Sequence, residues 1–302
     1  MQSVGVDVGG TFTDIATVDA DGRLAILKVL STSGDFSDAI VSGVEQMVRA
    51  GDVVPGEVRR LVHAATVATN TVITRTGAKV GLITTDGFRD VLEIGRLRYP
   101  RLYDMEWEKP PALVPRHLRC EVKERIDFQG QVVHALDPAS VEAATEKLLD
   151  ARVDSIAICL LNAYVNPEHE QRIAAHIRER AAQIDLSLSS DVLPEVKEFE
   201  RTSTTVINAY VKPVVAHYLA NLERRLADMG LEAPITVMQS SGGTVRTGFA
   251  MERPVYSIES GPAAVDPRDA ASAGPDLGEI DGRHSQQVAA APEQAVADVQ
   301  PA

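Results

Sequence analysis

The chain opens with apolar and polar residues placed as strands require. Val4, Val6 and Val8 alternate with Gly5 and Asp7, and runs of similar character occupy residues 12–18 and 23–30. The pattern predicts three strands over 2–8, 12–18 and 23–30, with Asp19-Ala20-Asp21-Gly22 turning the second into the third. The period then lengthens. Phe36, Ile40, Val44, Met47 and Val48 fall on one face at helical spacing, so a helix is expected over 36–50, closed by Gly51. A strand at 59–64, a helix start at 67–74 and a strand at 79–84 follow. Pro100, Pro110, Pro111 and Pro115 break any regular pattern after that, until 122–128 and 132–135 read as a hairpin around Gln129-Gly130. Residues 138–149 predict a helix with Val141, Ala144 and Leu148 inward. The nearly continuous apolar run 153–161 suits a buried parallel strand. Asn166-Pro167 is a cap and first-turn pair for a helix to about Gln183. A strand at 186–190, a long helix over 202–226 bent or interrupted near Pro213, and a strand at 235–239 complete the pattern.

Composition narrows the class. The 302 residues are 44% hydrophobic but only 4% aromatic, enough for a sizeable core in one large or two ordinary domains. A net charge of −13 argues against a nucleic-acid binder that relies on a broad basic surface. Cys120 and Cys159 are too few for a disulfide framework or a zinc cluster and read as reduced thiols. Asp7 interrupts the one early apolar run, so no signal peptide is visible, and no run approaches a membrane span. The expectation is a cytoplasmic protein with no membrane partner. Residues 266–302 lack aromatics and any sustained period, and are expected to be disordered.

The candidate chemistry starts at Asp7-Val8-Gly9-Gly10-Thr11-Phe12-Thr13-Asp14. Strand, Gly-Gly turn, strand is one way to hold phosphate: Gly9 and Gly10 allow close backbone approach, and the Thr11 and Thr13 hydroxyls add hydrogen bonds. Asp7 stands where a Mg²⁺ could be held through water. The string is neither a P-loop nor a dinucleotide fingerprint, since a second strand rather than a helix follows the turn. A plain β-hairpin with a tight turn is the alternative.

That hairpin resembles the first phosphate hairpin of actin-like and sugar-kinase ATPases, and the β-β-β-α-β-α-β order is the one expected of an actin-like first domain. Further blocks resemble the hydantoinase/5-oxoprolinase family, which includes acetone-carboxylase-type subunits. They are His63–Asn70, the more specific Thr85–Arg96 with its Gly-Phe-Arg-Asp-Val-Leu-Glu-Ile-Gly-Arg string, Glu198–Thr205, Met238–Gly243 and Ser260–Ala264. The resemblance implies an α/β fold, with an N-terminal actin-like domain over 1–185 and the start of a catalytic domain over 186–265, before the tail at 266–302. It implies ATP and Mg²⁺ as cofactors and a cyclic amide, a hydantoin or 5-oxoproline, opened through a phosphorylated carbonyl. An ATP-dependent ketone carboxylase subunit and a non-catalytic fragment are the alternatives. Ala64-Ala65 stands where the family usually has Gly-Thr. No second Asp-x-Gly-Gly-Thr motif occurs, so a second subunit or a missing C-terminal half is expected.

The same resemblance sets the remaining candidates. Asp7 and His63 would be catalytic, His63 as a substrate-pocket group or general base; a structural histidine is the competing reading. Asp14 is a second magnesium-side acid or a hairpin cap. Thr66, Thr69 and Asn70 either cap a helix or present its N–H groups to a substrate carboxylate. Arg89 and Arg96 form either a carboxylate clamp or part of a salt-bridged surface with Asp86, Asp90 and Glu93. Ser240–Gly243 reads as a tight turn more than a phosphate loop.

Overall fold

The computed structural model describes residues 1–32, 35–96, 106 and 109–260; the expected disorder of 266–302 falls outside them. The chain divides into two compact units, residues 1–76 with 214 onward, and residues 77–213.

In the first unit the alternating segments become β1 (Gln2–Val8), β2 (Phe12–Val18) and β3 (Leu24–Leu30), joined as two antiparallel hairpins. Helix α1 (Phe36–Ala50) follows. The Asp35 side chain caps it by accepting the Ser37 N–H at 2.9 Å, and left-handed Gly51 (φ 80°) ends it. Strand β4 (Val58–Ala65) pairs parallel with β1, and helix α2 (Val67–Ile73) begins directly after it. Gly43 on α1 is where helix meets sheet: a Cβ there would lie 2.4 Å from Ile15 Cδ1.

The second unit carries β5 (Val80–Thr85), the single-turn α3 (Val91–Ile94), β6 (Arg119–Val122), the small hairpin β7 (Arg125–Ile126) with β8 (Val132–His134), α4 (Pro138–Asp150), β9 (Ser155–Cys159), α5 (Glu168–Arg180), β10 (Asp185–Leu188) and the short α6 (Ser189–Val192). Its sheet runs β10-β9-β5-β6, all parallel, and every residue of β5 and β9 is buried. Helix α7 (Glu198–Asp228) contains Pro213, where the units divide. Strands β11 (Ile235–Met238) and β12 (Thr244–Arg246) and helix α8 (Thr247–Glu252) return to the first unit, whose sheet runs β12-β11-β4-β1-β2-β3. The α/β, actin-like order expected from the sequence is present.

Three expectations are corrected. The strand at 122–128 is two strands. Arg119–Val122 pairs with β5, and the chain breaks where Glu124 turns into the interior to bind Thr85 and His169. The strand at 186–190 stops at Leu188, because Ser189 and Ser190 bind the buried Glu170 carboxylate through Oγ at 2.6 Å and N–H at 2.9 Å. The long helix starts at Glu198, four residues early, and carries Arg201 into the interior at 1% exposure. Asn166 accepts the Glu168 N–H at 3.0 Å, but from the position before the cap: Pro167 occupies the cap itself rather than the first turn, and the helix runs from Glu168 only to Arg180. Among the described residues no helix is long and apolar enough to cross a membrane.

Candidate functional site

Strand parity decides what can meet at the β1–β2 turn. Val4, Val6 and Val8 are buried, so Asp7 points to the opposite, open face of the sheet. Register places Asp14 beside Asp7 and Lys28 beside Asp14, forming one row across β1, β2 and β3. Lys28 Nζ lies 2.7 Å from Asp14 Oδ1 and 5.0 Å from the centroid of the Phe12 ring. Asp7 itself is exposed. Partial desolvation of its carboxyl, and then the Asp14 charge, push its pKa above the usual carboxylate range, while Lys28 pulls it down.

The turn is closed from beneath. Gly9 N–H donates to Phe12 O at 2.9 Å, and Ser31 N–H donates to Thr11 O at 2.9 Å. Ser31 Oγ donates to Gly9 O at 2.8 Å, so its contact with Thr13 Oγ1 at 3.0 Å is accepted from the threonine, a hydroxyl having one proton to give. Thr13 is therefore fully buried under the turn, on the face opposite Asp7 and Asp14. Gly9 is required by closeness: a Cβ there would stand 3.0 Å from Phe12 O. Gly10 and Thr11 form the exposed tip, and a Cβ on Gly10 would meet nothing within 4 Å.

His63 lies on the other side of the sheet. Val6 pairs with His63 and Asp7 with Ala64, so the imidazole shares the buried face of Val6. Its Nε2 is 2.8 Å from Tyr218 Oη on α7, and burial pushes its pKa down to about 4. The histidine also lines a small apolar cavity with Ala65, Ala68, Val215 and Leu219, with room for about one water molecule. Burial raises the Tyr218 phenol well above its ordinary pKa. This is a neutral, packed pair, and it does not join the two acids.

Thr66 occupies the N-cap position of α2 without capping it. Its hydroxyl and its N–H both donate to Val8 O, each at 3.0 Å, fastening α2 to the end of β1. Asn70 Nδ2 donates to Thr66 Oγ1 at 3.2 Å, and Thr69 Oγ1 accepts the Glu259 N–H at 3.0 Å.

Arg89 and Arg96 belong to the second unit, within a set of ion pairs. Arg89 Nε is 3.6 Å from Glu121. Arg96 binds Glu200 Oε1 through Nε at 2.6 Å and again through Nη2. Arg116 forks onto Asp90 with two bonds of 2.9 Å and holds that carboxyl below its usual range. Arg119, 2% exposed, donates to Val114 O at 2.9 Å and to Glu93 at 3.0 Å. The Ser240–Gly243 segment is a tight turn, with Gly242 N–H donating to Gln239 O at 3.0 Å and Gly242 at φ 91°.

Lys28 and Ser31 are the residues that sequence reasoning missed. A lysine on a half-exposed strand looks like a solvated position until register sets it opposite Asp14. Ser31 carries no motif. Among the described residues no cluster of three or more histidine, cysteine or acidic side chains is poised for a metal. Mg²⁺, which keeps several waters and takes one or two carboxylates plus phosphate oxygens, suits an exposed Asp7 beside an open glycine tip.

Comparison with known proteins extends this picture. The hydantoinase/oxoprolinase N-terminal region matches residues 3–181, and the hydantoinase/oxoprolinase region matches 201–265. An uncharacterized protein of Methanocaldococcus jannaschii is 40% identical over 265 residues, covering 86% of this chain and 38% of that one. Caprolactamase subunit alpha of Pseudomonas jessenii is 36% identical over 267 residues, with the same shares of each chain. The crystal structure of that organism's ATP-dependent caprolactamase superposes with a TM-score of 0.80, covering 87% of this chain and 39% of that one. Nucleotide-free acetone carboxylase gives 0.79 at 30% identity, with the same coverage. The chain thus spans under two-fifths of the length of these relatives.

Proposed function

Because the chain belongs to the hydantoinase/oxoprolinase family, we propose that it is the nucleotide-handling front part of an ATP-dependent hydrolase of cyclic amides. The observation that carries the reading is the likeness over 87% of this chain to ATP-dependent caprolactamase, at 36% identity. Bound ATP would supply a phosphoryl group to the amide oxygen, making the carbonyl carbon electrophilic enough for water to add before the C–N bond breaks and the nitrogen takes up a proton. Asp7 would hold Mg²⁺. Gly10 and Thr11 present the turn tip to the phosphates, and Gly9 lets the backbone close tightly beneath them. Thr13 and Ser31 keep the tip in shape from inside. Lys28 neutralises Asp14, leaving Asp7 as the less compensated acid of the pair. We assign His63 a packing role with Tyr218, since its parity separates it from Asp7. Thr66 and Asn70 brace β1 against α2, and Arg89 and Arg96 act as ion-pair partners of Glu121 and Glu200. Two buried, unpaired thiols support a cytoplasmic setting.

A second reading has its own observation: the acetone carboxylase likeness has nearly the same TM-score, so a ketone could replace the amide. In either case a second phosphate hairpin has to come from further chain length or a partner subunit. Positioning of reactants is worth ~7–11 kcal/mol of barrier, so the chain alone is expected to turn over near background. The test is ATP-dependent ring opening of 5-oxoproline, hydantoins and caprolactam, and ATP-dependent carboxylation of acetone. Each is run with this chain alone and with any polypeptide encoded beside it. Robust ring opening by the chain alone, abolished by Asp7→Ala, would contradict the need for a partner. Carboxylation without ring opening would favour the second reading.

A further inference from the structure

The three charges beside the glycine turn are framed by uncharged neighbours on their sheet face. Asp7, Asp14 and Lys28 stand side by side across β1, β2 and β3, and the β4 residue in the same row is Ala64. On one side the adjacent row is Phe12 with Leu30. On the other it is Val62, Gly5, Ala16 and Ile26. Two carboxylates against one ammonium leave the row with a net charge of −1, and without Lys28 it would carry −2. The lysine is held from two sides, with Nζ 2.7 Å from Asp14 Oδ1 and 5.0 Å from the centroid of the Phe12 ring. A half-exposed ion pair of this kind adds little to stability. Its consequence lies in what the row attracts. Asp7 registers both neighbours: after partial desolvation, the Asp14 charge acts on its carboxyl in one direction and Lys28 in the other.

Two carboxylates facing each other across a hairpin attract a free divalent cation, and such affinity grows with the number of carboxylate charges presented. A magnesium nucleotide behaves oppositely. Magnesium–ATP remains an anion, so each uncompensated carboxylate repels it. We propose that Lys28 is a specificity-determining counter-charge: by occupying Asp14 it makes the turn favour a metal that arrives on a nucleotide over the free cation. This rests on the reading of the turn as a magnesium-nucleotide site. Lys28 is two strand spacings from Asp7, ~10 Å, where one unit charge changes the affinity for a divalent ion about threefold to fourfold in water.

The test is a charge cycle on the wild type, Lys28→Met, Asp14→Asn and the double variant. Mn²⁺ alone is titrated at low ionic strength and followed by loss of its free-ion electron paramagnetic resonance signal. Magnesium–ATP is titrated by calorimetry, and circular dichroism checks that each variant folds. Lys28→Met is expected to bind Mn²⁺ about threefold tighter and magnesium–ATP about threefold weaker. Asp14→Asn should move both affinities the other way, and the double variant, again at −1, should return both close to wild type. Lys28→Arg should keep the wild-type values, and the differences should shrink at high salt. A merely structural lysine would move both affinities in the same direction or neither. Either result, or a double variant that fails to restore the wild-type balance, would overturn the proposal while leaving the nucleotide reading in place. Magnesium–ATP that binds none of the proteins would defeat that reading and the proposal with it.

Discussion

At the residue scale, His63 and Tyr218 test the separation of packing from chemistry. The histidine's pKa is about 4 when folded against an ordinary 6.5. Between these values the unfolded chain binds more protons, so stability rises with pH; this contribution is complete above about pH 6.5 and lost as pH falls toward 4. The loss amounts to ~3 kcal/mol. Urea denaturation at pH 7 and pH 4.5 should show it in the wild type, and His63→Leu should flatten the difference. Equal pH slopes in both proteins would refute a neutral buried histidine. Tyr218→Phe removes the phenol from Nε2 and is expected to destabilise by about 1–3 kcal/mol while leaving nucleotide affinity unchanged. A large loss of affinity in that variant would return His63 to the active site. From sequence His63 could be read either way, because its side of the sheet depends on a pairing with Val6 that lies 57 positions away.

At the element scale, what was legible followed from local patterning. The three strands of the opening hairpins were placed within a residue because one face is buried and the turns are short. Helix α1 was readable from its stripe and its glycine stop. The break between β6 and β7 was not, because it is caused by Glu124 reaching Thr85 and His169 on distant elements. The early start of α7 was hidden for the same reason. The α1 contact gives a direct test: Gly43→Val drives a side chain into Ile15 and should cost about 1–3 kcal/mol, read as a lowered denaturation midpoint. Ser31→Ala removes the donor to Gly9 O beneath the turn. It should weaken Mg-nucleotide binding severalfold with a stability loss near ~1 kcal/mol. Unchanged binding would show that the tip holds its shape without Ser31.

At the scale of the whole molecule, the first unit holds a tight Gly9-Gly10 hairpin with Asp7 exposed, and the second holds a parallel sheet near which Arg89, Arg96, Arg116 and Arg119 are engaged in ion pairs. The motif residues announced the hairpin; Lys28, which completes its charge balance, emerged only through cross-strand register. We propose that Asp7 and the Gly9–Thr11 turn hold a magnesium nucleotide. Isothermal titration with ADP, with and without Mg²⁺, on the wild type and Asp7→Asn tests it most directly. Magnesium-dependent binding is expected in the wild type, falling at least tenfold in the variant, whose circular dichroism stays unchanged. Equal binding by both proteins, or binding indifferent to magnesium, would contradict it.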